Sequence, residues 1–145
     1  MIILKNAKLR NACNSWSKNT DYNYKFYNDE QCDNFIYDFF PEIKEVYDKS
    51  PLKVMKADLW RYCIIYKYGG IYADADADAD ADTILLQNPS FLTNYCNKDI
   101  VIVIVPQNNT HFCQWVFSAP VNSPVLKAVI DLSVERIRET KDLKR

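Results

Sequence analysis

The sequence predicts an α/β fold, and three observations carry that prediction. Stretches with helical spacing of apolar residues alternate along the chain with short β-branched or aromatic runs. The pair Gly69-Gly70 separates a long helical stretch from the strand-like Ile71-Tyr72-Ala73. The uninterrupted run Ile100 to Val105 reads as a strand buried on both faces, which needs a layer on either side. At 145 residues, with no composition shift that marks a linker, the chain is expected to form one domain, 1–145.

Taken in order, Leu4, Ala7, Leu9, Ala12, Cys13 and Trp16 give residues 3–16 a helical period. Ser17 to Asp21 is turn chemistry. Tyr22, Tyr24 and Phe26 alternate with polar residues, the mark of a short strand. Asp29-Glu30 opens a helix that runs to Phe39-Phe40, where Pro41 interrupts it, and Glu42 to Tyr47 forms a second helical piece. Ser50 is the expected cap of a third helix, with Pro51 at its first position and Gly69 at its end. Thr83 to Leu86 is apolar again and leads to a turn at Asn88-Pro89-Ser90. Phe112 to Ser118 is a further strand. Asn122-Ser123-Pro124 starts a last helix, whose apolar stripe is read as Val125, Val129, Leu132 and Ile137.

Charge and residue usage exclude several functions. The formal net charge is −1 and no Lys/Arg block tracks a phosphate backbone, so no nucleic-acid partner is expected. The five cysteines are odd in number and contain no C-x-x-C pair, which argues for free thiols over a zinc site or a disulfide framework. His111 is the only histidine, so a Ser-His or Cys-His site would have to run through it. The opening residues do not read as a signal peptide, and no run is long enough to span a bilayer. The compartment is left open.

Charge is concentrated in one place. After Tyr72 the sequence alternates Ala with Asp74, Asp76, Asp78, Asp80 and Asp82. In an extended chain these carboxylates share one face at a spacing of about 6.5–7 Å, repel each other and invite a divalent cation. A calcium loop of the helix–loop–helix kind is a poor fit. Asp74, Asp76 and Asp78 match its first three ligand positions, but Ala79 stands at the sixth and Leu85 at the twelfth. Asp58 and Arg61, three residues apart in the preceding helix, share a face and taken alone read as a surface ion pair.

The string Lys56-Ala57-Asp58-Leu59-Trp60-Arg61-Tyr62, followed by Tyr68-Gly69-Gly70-Ile71-Tyr72-Ala73-Asp74-Ala75-Asp76, resembles the sugar-binding DXD region of glycosyltransferases. It looks most like the group that holds the initiating α-1,6-mannosyltransferases and the inositol-phosphoceramide mannosyltransferases. The flanks Asn14-Ser15-Trp16, Tyr22 to Asp29 and Leu85 to Pro89 agree, and Asn109, Phe117 and Asn122-Ser123-Pro124 sit where such proteins have a later strand and helix, so the resemblance covers about residues 12–137. It implies a GT-A-like fold, a nucleotide-diphosphate sugar donor, a Mn²⁺ or Mg²⁺ ion, and transfer of a sugar such as mannose to a glycan or lipid acceptor. By the resemblance Asp74 and Asp76 are the metal-binding and catalytic pair, and Asp58, Arg61, Gly70 and Tyr72 belong to the donor site. Tyr72 reads equally well as a core residue. Membrane association occurs among such proteins, but this segment does not encode it.

The pattern departs from the family in two ways. The family runs from Asp-x-Asp straight into the Thr-Ile-Leu-Leu segment, whereas six extra residues intervene here, so 73–82 reads as an Asp-Ala repeat insertion. Counted from Gly70 the metal pair is Asp74 and Asp76. Counted back from Thr83 it is Asp80 and Asp82. The glycine-anchored pair is preferred because the preceding helix holds that turn in place. The nucleotide-binding first strand and the acceptor-side segment of such enzymes are also not found, so the fold is expected to be incomplete at both ends. A truncated, inactive glycosyltransferase and a non-enzymatic acidic cation-binding module are the alternatives.

Overall fold

The computed structural model describes residues 13–18, 22–74, 87–94, 102–104 and 113–140. Its order is α1 (13–17), α2 (Asp29–Phe39), a 3-10 turn (Pro41–Ile43), α3 (Lys44–Asp48), α4 (Lys53–Tyr68), β1 (Gly70–Ala73), α5 (Ser90–Thr93), β2 (Ile102–Ile104), β3 (Cys113–Ala119) and α6 (Pro124–Glu139). The expected mixture of helices and strands is present. Both described strand pairings are antiparallel, in the order β1-β3-β2.

Local chemistry explains most helix ends. Asn28 caps α2 in a reciprocal box: the Gln31 N–H donates to Asn28 Oδ1 at 2.8 Å, and the Asn28 N–H donates to Gln31 Oε1 at 3.0 Å. Asp29 and Glu30 in its first turn complement the helix dipole. Pro41 then forces the chain out of the helix, as expected. At the end of α4 the Gly69 N–H donates to the Ile65 carbonyl at 2.7 Å, and Gly69 turns with φ +65°. A Cβ there would lie 2.9 Å from the Val121 nitrogen, so both the dihedral and the space require glycine. Ser123 caps α6 with Pro124 at its first position.

Three expectations about elements need correction. Ser50 does not cap α4. Its hydroxyl donates to the Val46 carbonyl at 3.1 Å, which finishes α3 instead, and α4 begins after Leu52 without a side-chain cap. The stretch from Tyr22 to Tyr27 is irregular and joins no ladder among the described residues. Contacts to the helices come from residues outside the alternating set: Tyr27 lies 5.2 Å from Trp60, and Lys25 Nζ sits 5.6 Å over the Tyr68 ring. On α6 the buried stripe is Leu126, Ile130 and Val134, while Val125 and Leu132 are exposed. The helix carries apolar residues on two neighbouring faces, and packing against α4 selects one of them.

Helix α4 is the centre of the molecule. Leu59, Trp60, Arg61, Cys63, Ile64 and Ile65 are all buried, because α2, α3, α6 and the strands β1 and β3 all pack against this helix. Phe35, Ile36, Tyr47, Phe117, Leu126 and Ile130 complete one core cluster. Fully burying a side chain of this size stabilises by about 1.5–3 kcal/mol. The Ser118 hydroxyl donates to the Leu92 carbonyl at 2.9 Å in a buried bond that ties α5 to β3. Cys13, Cys32 and Cys63 are free thiols, as expected. Cys96, Cys113, His111 and the expected burial of 100–105 lie outside the described residues or side chains.

Candidate active site

The helix α4 and the strand β1 are joined by two glycines, so the N-terminal half of α4 and the far end of β1 converge. Asp58 and Arg61 sit on consecutive turns of α4. Gly70 opens β1 with φ +99°, Tyr72 lies within it, and Asp74 follows its last residue. The Asp74 N–H donates to the Trp115 carbonyl at 2.7 Å, which extends the β1–β3 pairing one step and fixes the carboxylate's starting point.

Arg61 is the hub. Its Nη2 lies 2.9 Å from Asp58 Oδ1 and 3.4 Å from Asp74 Oδ2, and its Nη1 donates to the Gln114 carbonyl at 3.0 Å. Its carbon Cζ stands 5.1 Å over the Tyr72 ring, in cation–π range. The side chain is only 6% exposed, against 32% for Asp58 and 21% for Asp74. The surface ion pair suggested by the i,i+3 spacing is thus a buried guanidinium beneath two partly open carboxylates. Arg61 Nε, Asp58 Oδ1 and Trp60 Nε1 are buried without an aligned hydrogen bond.

Burial pushes the Asp58 carboxyl up from its ordinary pKa. The Arg61 charge pulls it down and the Asp74 charge adds to the rise, and burial wins. The Tyr72 phenol is raised for the same first reason, with Arg61 opposing and a hydrogen bond to Asp74 contributing. Tyr72 stacks between Trp60 at 6.3 Å and Phe117 at 5.5 Å. Tyr72 thus packs against the core, one of the two readings made for it, and its ring lies under the Arg61 guanidinium.

The chemistry of this donor set suits a divalent cation. Two carboxylates share one guanidinium, which leaves a net negative charge before Asp76 is counted, and hard cations favour carboxylate oxygen. Among the described residues no group of three potential ligands converges. Asp76, Asp80 and Asp82 lie outside the described residues, so the choice between the two registers rests on the sequence. Gln114 and Tyr62 were not anticipated. Tyr62 adjoins Arg61, and its hydroxyl donates to Gln114 Oε1 at 2.5 Å, but no local signal marks a partner 52 residues away.

The model of the glycosyltransferase sugar-binding region containing the DXD motif matches residues 6–101. This chain belongs to that family. The DXD family match spans both the Asp58–Arg61 helix and the acidic run. Among curated proteins, the initiation-specific alpha-1,6-mannosyltransferase of Candida albicans is 27% identical over 129 residues, covering 78% of this chain and 34% of that protein. Inositol phosphoceramide mannosyltransferase 3 of Schizosaccharomyces pombe is 45% identical over 54 residues, covering 37% of this chain and 15% of that protein. An uncharacterized glycosyltransferase of Acanthamoeba polyphaga mimivirus is 39% identical over 57 residues, covering 39% of this chain and 23% of that protein. The chain spans about a third or less of the length of these relatives. No solved structure matches it. Among the described residues no helix is long and apolar enough to cross a membrane.

Proposed function

We propose that this chain carries the donor site of a metal-dependent, GT-A-like glycosyltransferase, which moves a hexose, mannose by its relatives' names, from a nucleotide-diphosphate sugar to an acceptor. The observation that carries the reading is the clamp itself. One buried guanidinium braces Asp58 and Asp74, from two different elements, at the point where the Asp-x-Asp motif begins. Sugar hydroxyls both donate and accept hydrogen bonds, and two oriented carboxylates are suitable acceptors for them. Arg61 supports them from beneath, and Tyr72 and Gly70 complete the floor and the turn.

Asp74 and Asp76 would hold the Mn²⁺ or Mg²⁺. When bound, such an ion neutralises charge on the leaving nucleoside diphosphate. The protein's own part is to brace the carboxylates on a fixed cation and place them against the donor before it arrives. A lipid acceptor is favoured by the inositol phosphoceramide relatives and a glycan acceptor by the initiating mannosyltransferase relative.

The six-residue Asp-Ala expansion supports a second reading, in which the site binds metal and nucleotide without turnover. Calorimetric titration of Mn²⁺ with and without a nucleoside diphosphate tests both. Cooperative binding of the two is expected. An absence of nucleotide binding at millimolar concentration sinks the donor-site reading. Donor hydrolysis lost in Asp76→Ala and kept in Asp80→Ala confirms the glycine-anchored register, and the reverse pattern assigns the site to Asp80 and Asp82.

A further inference from the structure

We propose that Gln114 is a positioning residue of this site, acting with Tyr62 to hold the Arg61 guanidinium; the proposal rests on the donor-site reading above. Gln114 is the second residue of β3 and makes two bonds to α4. Its backbone carbonyl accepts from Arg61 Nη1 at 3.0 Å, and its side-chain Oε1 accepts from the Tyr62 hydroxyl at 2.5 Å. The next carbonyl, that of Trp115, accepts the Asp74 N–H. Two successive residues of β3 therefore set the relative positions of Arg61 and Asp74.

The strand needs that hold at this point. The β2–β3 register jumps from Val103 opposite Phe117 to Ile104 opposite Cys113, so residues 114–116 bulge out of that ladder. On the other edge the β1 ladder reaches only Ala73 opposite Val116. Among the described residues Gln114 has no ladder partner on either side, and its bonds to α4 tie it down there. The guanidinium is planar, so fixing Nη1 on the Gln114 carbonyl fixes where Nη2 points. Among the described residues Nε has no acceptor that could hold the group in its place. If the Tyr62 bond is lost, the start of β3 is free to move from α4 and takes the carbonyl with it, and Nη2 loses its aim between Asp58 and Asp74.

The test compares Tyr62→Phe, Gln114→Ala and the double variant, each first shown to be folded by thermal melting. Binding is measured for GDP and UDP, and for GDP-mannose and UDP-glucose, with Mn²⁺ present. Each single variant is expected to weaken the nucleotide sugar that the wild type binds by about five- to tenfold, and the bare nucleotide by less than about twofold. The double variant should be no weaker than the worse single, because both remove one bond. A parallel loss for sugar nucleotide and bare nucleotide would mark a general structural role and overturn the proposal, as would additive losses. A second readout needs no ligand. The Arg61 guanidinium N–H signals should exchange with solvent faster in both single variants as the group loosens, and unchanged exchange overturns the proposal. A wild type that binds no nucleotide overturns the donor-site reading, while the Arg61 N–H exchange still decides whether Gln114 positions Arg61.

Discussion

Two helical ion pairs in this protein look alike in sequence and differ in the structure. Asp58 and Arg61 on α4 lie three residues apart and meet at 2.9 Å, and Lys127 and Asp131 on α6 lie four apart and meet at 2.6 Å. The shorter contact belongs to the pair whose side chains are 53% and 60% exposed, whereas Arg61 is 6% exposed. Proximity on a helix follows from spacing. Energetic weight follows from what surrounds the charges, since water and salt screen an open pair and cannot screen a closed one.

The largest expected effect comes from emptying the closed pair of its cation. Arg61→Met should destabilise by about 2–4 kcal/mol, because it leaves Asp58 and Asp74 facing each other and the Gln114 carbonyl without its donor. The lower part of that range reflects the partial access of both carboxylates to water. A drop in the urea midpoint measures it, and a loss below about 1 kcal/mol would place Arg61 with ordinary surface charges.

Asp58→Asn should show a smaller effect, and its sign should depend on pH. The Asp58 pKa is raised in the fold, chiefly by burial. The folded state then holds this proton more tightly than the unfolded chain does. The stability this provides is full below the ordinary carboxylate value of about 4 and falls as pH climbs through the raised value. Asparagine removes that fall, so the variant should gain on the wild type between about pH 4 and neutrality. Denaturation curves across this window decide it. A wild type that gains on the variant instead would mean that the Arg61 attraction outweighs burial.

The smallest effect is expected at the open pair. Lys127→Ala should leave the melting temperature within about 1 °C of wild type, and raising the salt concentration should not change that difference. A larger shift would show that α6 depends on this pair for more than its helical neighbourhood.

How far each region was legible in the sequence follows the same division. The Asn28 to Phe39 helix, the stop at Gly69, the short strand after it and the start at Ser123-Pro124 all depend on neighbours within a few residues, and the sequence shows them. The face that α6 buries was misread, because Val125 and Leu132 are spaced as regularly as Leu126 and Ile130. Ser50 was misread as a cap because a hydroxyl serves equally well at the end of one helix and the start of the next. The alternation at Tyr22, Tyr24 and Phe26 forms no ladder among the described residues, and a period of two cannot by itself supply a strand to pair with.

The sequence by itself determined the family, the acidic motif, and the adjacency of Asp58 to Arg61, because each is written in contiguous or helically spaced residues. Only the tertiary structure decided that Arg61 is buried, that Asp74 shares it with Asp58, and that Gln114 and Tyr62 hold it in place. Those contacts join α4, the end of β1 and a bulged start of β3 across more than fifty residues. Strand pairing and helix packing set such meetings, and neither leaves a local periodicity at the residues that meet.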